Sequence, residues 1–159
     1  MTMLTVRKQH GAYVLDSGAG PRAWLRTTGW TWRCGEIRTD AGLWTVEPTD
    51  RRRIGVTARA EHGAAVRLDP SRSHVPGPGG VTRWAPGRCG GELVRDGHRL
   101  AVRLPGRPAG GPIRVDVTGE WAELDLVALT ACFALLTRRR QRTLIMMAVI
   151  STAGRGPVG

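Results

Sequence analysis

The chain has 159 residues and a formal net charge of +11, from 24 Lys and Arg against 13 Asp and Glu. Lys8 is its only lysine, so the positive charge is almost wholly arginine. This length suits one domain and excludes a large multidomain enzyme, and 41% hydrophobic residues exclude a disordered polyelectrolyte.

The first eighteen residues have no continuous apolar run after Arg7 and Lys8, so a secretory signal is not expected in them. Short strands with turn punctuation then extend to residue 118. Residues 12–15 form a strand closed by the cluster at 16–20, and strands at 22–26 and 30–38 follow. In the last of these, period two places Trp30, Trp32 and Cys34 on one face and Thr31 and Arg33 on the other. The Asp40-Ala41-Gly42 turn leads to a strand at 43–47, and 53–59 alternates Ile54, Val56 and Ala58 with Arg53, Thr57 and Arg59. A strand at 64–68 ends at Asp69-Pro70. Residues 70–80, PSRSHVPGPGG, suit an irregular loop. After a stub at 81–85, strands at 91–95 and 98–104 are joined by Asp96-Gly97, the strongest hairpin signal in the chain. A Pro/Gly loop at 105–112 precedes a strand at 113–118.

After Gly119 the period changes. Residues 120–137 contain no Gly or Pro, and their Ala and Leu content favours helix. Thr118 is the expected cap, with Glu120, Glu123 and Asp125 where the helix dipole favours acids and Arg138–Arg140 where it favours cations. Between 126 and 136 only Thr130 is polar, and a helix hydrophobic all round belongs inside a protein. Its 13-residue apolar run from Leu124 to Leu136 rises roughly 20 Å, short of the roughly 30 Å needed to span a bilayer. The expected fold class is therefore mainly β. An antiparallel barrel-like sheet of about 10–12 short strands curls around a buried C-terminal hydrophobic helix at 121–137. Residues 143–150 are either a closing strand or a helical extension, and Thr143, Ile145, Val149 and Ile150 favour strand. Residues 1–150 make one domain and 151–159 a flexible tail.

Strands with hairpin turns followed by one hydrophobic helix, with WAELDLVALTACFALLTRRRQR at 121–142 as the closest local match, resemble the tubby C-terminal-like superfamily. That superfamily includes the LURP-one-related proteins and the phospholipid scramblases. GEIRTDAGLWTV at 35–46 resembles one of its strand–turn–strand units. The resemblance implies a barrel around a central helix and a role in phosphoinositide or other lipid association. The superfamily's Lys/Arg phosphoinositide cluster has no residue-by-residue counterpart here, and with Lys8 alone its lysine part is largely missing.

Cys34, Cys89 and Cys132 form neither a CxxC pair nor a disulfide framework, so three mostly buried thiols in a reducing cytoplasm are expected. Burial would leave Cys132 inert. His10, His62, His74 and His98 are isolated, and Asp69, Ser71, Ser73 and His74 are adjacent in sequence without forming a recognisable triad. A cryptic enzyme would require a deep polar pocket that includes His62 or His98. The sequence calls for no cofactor and no metal. The tryptophans alternate with Arg and Thr, which suggests a buried face more than a base-stacking platform. Two arginine runs suit phosphates through guanidinium forks: Arg51, Arg52 and Arg53 in a turn, and Arg138, Arg139, Arg140 and Arg142 past the helix. The bland alternative is a solvated turn and a basic helix flank.

The expected function is that of a non-enzymatic basic β-barrel. Its first candidate partner is anionic phospholipid, or a protein partner, at a membrane surface, with a cytoplasmic location and no transmembrane span. Nucleic acid comes second on charge, and a structural or partner-binding module third.

Overall fold

The alternating apolar pattern becomes eleven antiparallel strands, and the continuous apolar run becomes one helix, in a computed structural model that describes residues 1–61, 63–106 and 110–154. The strands are β1 (Thr2–Gln9), β2 (Ala12–Asp16), β3 (Pro21–Thr28), β4 (Cys34–Thr39), β5 (Gly42–Pro48) and β6 (Val56–Ala60). They continue as β7 (Gly63–Leu68), β8 (Arg83–Pro86), β9 (Gly90–Arg95), β10 (His98–Arg103) and β11 (Ile113–Thr118), followed by α1 (Leu124–Ala153). The sheet order is β7-β6-β5-β4-β3-β2-β1-β11-β10-β9-β8. β1 is a strand that sequence patterning leaves out. It joins the halves, pairing Val6 with Leu15 of β2 and with Ile113 of β11.

The sheet is a nearly closed barrel. Its two outer strands, β7 and β8, are bridged through the segment between them: Arg67 pairs with His74, and Ser73 with Thr82. Arg67 and His74 exchange backbone hydrogen bonds of 2.8 and 2.7 Å. The run expected to be irregular at 70–80 thus carries the seam. Ser73 Oγ accepts from Asp69 N and donates to Asp69 O, while Ser71 donates twice to Asp69 Oδ1. The Ser71 bonds hold the Asp69 carboxyl below its ordinary range. These groups brace a turn, and their polar atoms face one another.

Two predicted strands are shorter than expected. Residues 30–33 form a loop, so Trp30, Trp32 and Cys34 do not share a strand face; Trp32 adopts φ 55°, a left-handed conformation incompatible with a ladder. Arg53 has φ 55° as well, and Ile54 N donates to Asp50 Oδ1, so the strand expected from residue 53 begins at Val56.

Inward positions follow period two around the wall: Leu4 and Val6, Leu15, Ala23 and Leu25, Ile37, Val46, Ala58, Val66, Leu93, Leu100 and Val115 are all buried. They enclose residues 126–137 of α1, every one of which is buried. Thr130, the polar residue among them, donates its hydroxyl to Leu126 O at 2.7 Å, a bond that lets a threonine sit in an apolar core. The expected cap is displaced. Thr118 ends β11, and the cap position is Glu123, left-handed at φ 51° and without a side-chain bond to the helix. Asp125 in the first turn instead pairs with Arg22 at 3.1 Å.

The helix does not stop at the barrel. Residues 143–150, for which β-branched side chains favoured strand, are helical, and the helix runs to Ala153, into the tail expected from Ser151. A continuing helix gains one hydrogen bond per added residue without a new nucleus, and Leu144, Met146, Met147 and Ala148 are good helix formers. The gap between β7 and β8 is also already bridged by the segment between them.

Small residues admit the largest rings. A Cβ on Gly91 would lie 2.6 Å from the Trp84 ring, and one on Gly35 would lie 3.3 Å from Phe133. Both rings are buried, so the barrel alternates glycine with aromatic bulk across its interior. Gly91→Ala is expected to lower stability by about 1–3 kcal/mol through overpacking, measured as a shift of the urea midpoint.

Candidate functional site at the barrel mouth

The antiparallel meander sorts the connections into two ends. The floor, where the helix enters, holds the β2–β3, β4–β5, β6–β7 and β9–β10 turns and the link from β11 to α1. The mouth, where the helix leaves, holds the β1–β2, β3–β4, β5–β6, β8–β9 and β10–β11 connections. Charge separates with them. Asp16, Asp40, Glu61, Asp96, Glu120, Glu123 and Asp125 occupy the floor, whereas Asp50 and Asp69 are the acids in the mouth loops.

Both arginine runs singled out in the sequence reach the mouth. Gln141 Nε2 donates to Arg51 O at 2.8 Å, tying the β5–β6 loop to the helix. Arg51 and Arg52 are exposed there, with Arg33 in the β3–β4 loop and Arg88 in the β8–β9 turn. Arg53 is buried. Its Nη1 donates to Thr31 O at 2.7 Å, Thr137 O at 3.1 Å and Thr137 Oγ1 at 3.0 Å, and the Thr137 hydroxyl donates onward to Trp32 O at 2.7 Å. Burial, with Arg33 adding repulsion, lowers its pKa. Arg53 is a clamp on the departing helix, and its Nη1 is fully engaged with protein oxygens.

The second run divides similarly. Arg139 Nη1 donates to Pro105 O at 3.2 Å, and Arg140 Nε donates to Trp30 O at 2.7 Å while its guanidinium lies 5.2 Å from the Trp32 ring centre. Arg138 is half-buried, and burial together with the nearby charge of Arg142 lowers its pKa. Arg142 is half-exposed beside Arg88.

Between helix and wall the mouth opens into a cleft of about 330 Å³. Val6, Ile113 and Leu136 give it an apolar base, Tyr13 and Trp32 an aromatic side, and Lys8, Arg139 and Arg140 a cationic rim. Tyr13 and Trp32 meet edge to face at 6.2 Å and 81°. The Lys8 ammonium lies 6.0 and 5.9 Å from their centres, at the limit of cation–π attraction. Burial raises the Tyr13 pKa, and Arg139 and Arg140 oppose it. Lys8 is absent from the site expected from sequence because β1 is, whereas Tyr13 lies on the expected strand at 12–15 and nothing in its pattern marks it as part of a site. The usable signal was the alternation of Leu4 and Val6, which extends to Lys8.

At the floor a second buried arginine plays a structural part. Arg95 Nη1 donates to Pro76 O at 3.1 Å, and its guanidinium covers the Trp121 ring at 5.1 Å. Trp44, Trp84 and Trp121 are buried as the alternation suggested, but Trp24 is exposed on the wall and Trp30 is 69% exposed at the mouth. His98 Nδ1 accepts from Glu120 N at 3.0 Å, which places it in the floor link, and His62 lies outside the described residues. Among the described residues, no group of three His, Cys, Asp or Glu side chains converges as metal ligands would.

The cysteines differ in exposure: Cys132 is buried, Cys34 half-buried and Cys89 exposed, all with free thiols. Burial pushes the Cys132 thiol up to about 12. Iodoacetamide at neutral pH is therefore expected to modify Cys89 in the folded protein and leave Cys132 untouched until denaturant is added, as read by peptide mass. No helix among the described residues is long and apolar enough to cross a membrane.

Compared with protein-family models, with curated proteins and with solved structures, the chain matches none of them.

Proposed function

We propose that this protein is a non-enzymatic, tubby-like barrel that docks on anionic phospholipid membranes through its mouth. The single observation that carries the proposal is convergence: two arginine runs, 90 residues apart at the Gln141–Arg51 contact, meet on one rim. The acids gather at the other end, which gives the barrel a positive pole. Each basic side chain near an anionic bilayer contributes about 1 kcal/mol, so the exposed Arg33, Arg51, Arg52 and Arg88 suffice for reversible docking. The cleft behind them offers cations above an apolar base, a combination suited to a lipid phosphate with its acyl chain beneath. The tubby-like assignment rests on the central helix inside an antiparallel barrel and on the resemblance of residues 121–142.

One observation favours nucleic acid as a second reading. Trp30 is largely exposed on the rim that carries the arginines, and single-strand binding combines an exposed aromatic for the bases with cations for the backbone. Flotation separates the two. The protein is expected to rise with phosphatidylcholine vesicles containing phosphatidylserine, and to remain in the dense fraction with phosphatidylcholine alone. If anionic vesicles leave it behind while a single-stranded oligonucleotide binds, the lipid proposal fails.

A further inference from the structure

Past the arginines, Leu144 to Ile150 reads LIMMAVI, and the helix carries it beyond the enclosed turns, with Met146, Met147 and Ile150 along an open groove beside Arg88 and Cys89. Ile145, Met146, Met147, Val149 and Ile150 are between 55% and 67% exposed. At about 100° per residue the exposed five cover somewhat more than half of the circumference, and Leu144 and Ala148 make the rest of it apolar as well, whereas a helix that docks on one partner helix shows an apolar stripe. The threonines flanking the segment are bonded to carbonyls of their own helix. Thr143 Oγ1 donates to Arg139 O at 3.1 Å, and Thr152 Oγ1 to Ala148 O at 3.0 Å. Their hydroxyls therefore cost less to remove from water.

An occupant must cover all sides of this segment and accept cations one turn behind it. A bundle of identical chains would cover it but would crowd Arg138, Arg139, Arg140 and Arg142 of each copy together. An anionic bilayer meets both demands, with acyl chains around the apolar turns and phosphates at the arginines. We propose that residues 144–150 insert into the outer part of one leaflet while the arginine collar stays among the headgroups. Seven residues rise about 10 Å, enough for interfacial burial and far short of a span. The proposal rests on the membrane-docking function above and adds the penetrating element.

The test places a nitroxide at position 147 (Met147→Cys) or at floor position 41 (Ala41→Cys) in a Cys34→Ser, Cys89→Ser background, where the buried Cys132 does not react. Power saturation is read with vesicles of phosphatidylcholine and phosphatidylserine. The label at 147 is expected to gain oxygen access and lose access to a water-soluble nickel complex, at a depth of about 5–10 Å, while the label at 41 stays aqueous. The Met146→Asp, Met147→Asp double variant, altered only at exposed positions, is expected to lose about tenfold or more in vesicle binding. If the protein floats but the label at 147 remains aqueous, insertion is wrong and docking stands. If the protein does not float, both proposals fall. Spin–spin broadening at 147 without vesicles would assign the segment to a second copy and overturn insertion.

Discussion

Replacing Phe133 with alanine is expected to destabilise the protein by about 3–5 kcal/mol, seen as a lower urea midpoint with an unchanged slope. The ring is fully buried and rests on Gly35, whose missing side chain makes room for it. Removing it leaves a void that the wall cannot fill, because β4 is hydrogen-bonded to β3 on one side and β5 on the other. The same helix supplies its own control. Met147→Ala, at a position 57% exposed, is expected to change stability by no more than about 0.5 kcal/mol. A loss below about 1 kcal/mol for Phe133→Ala would mean that the helix is not enclosed.

The second large effect concerns binding. Arg51→Gln, Arg52→Gln and Arg142→Gln together are expected to weaken binding to anionic vesicles by about 3 kcal/mol, on the order of a hundredfold. These arginines are chosen because their side chains lie at the surface of the mouth and none clamps the helix as Arg53 does. Arg53 would be misleading in such a set, because its loss strips hydrogen bonds from Thr31 and Thr137 and loosens the helix exit. The unfolding free energy of the triple variant is expected to stay within about 0.5 kcal/mol of the parent. The deficit should shrink as salt rises, since screening weakens the contribution of surface charge.

Much of the architecture was legible because it rests on periodicity. Alternation in Ile113, Val115 and Val117 against Arg114, Asp116 and Thr118 marked β11 to the residue, and Asp96-Gly97 marked the β9–β10 hairpin. The helix announced itself by an apolar circumference that only a surrounding sheet can satisfy. Local backbone geometry was not legible. Left-handed residues at Trp32 and Arg53 cut short two strands whose side-chain patterns looked continuous. At 143–150 intrinsic preference misled, because β-branched residues favour strand only where a strand partner exists. For the site, sequence identified both arginine runs but not that they share a rim, since their proximity depends on strand order. It also treated their residues alike, although Arg53 is a buried clamp and Arg51 and Arg52 face water.

In the docking proposed above, the position of charge, and not its sum, makes the mouth the docking face. The most direct measurement compares two triple variants that lower the net charge of +11 equally. One neutralises Arg51, Arg52 and Arg142 at the mouth; the other neutralises Arg38, Arg59 and Arg83, exposed positions on the wall and toward the floor. In titrations with phosphatidylserine-containing vesicles, the mouth variant is predicted to lose on the order of a hundredfold in affinity, and the wall variant no more than about threefold. Equal losses in the two would show that net charge alone drives association, and would contradict the mouth as a docking site.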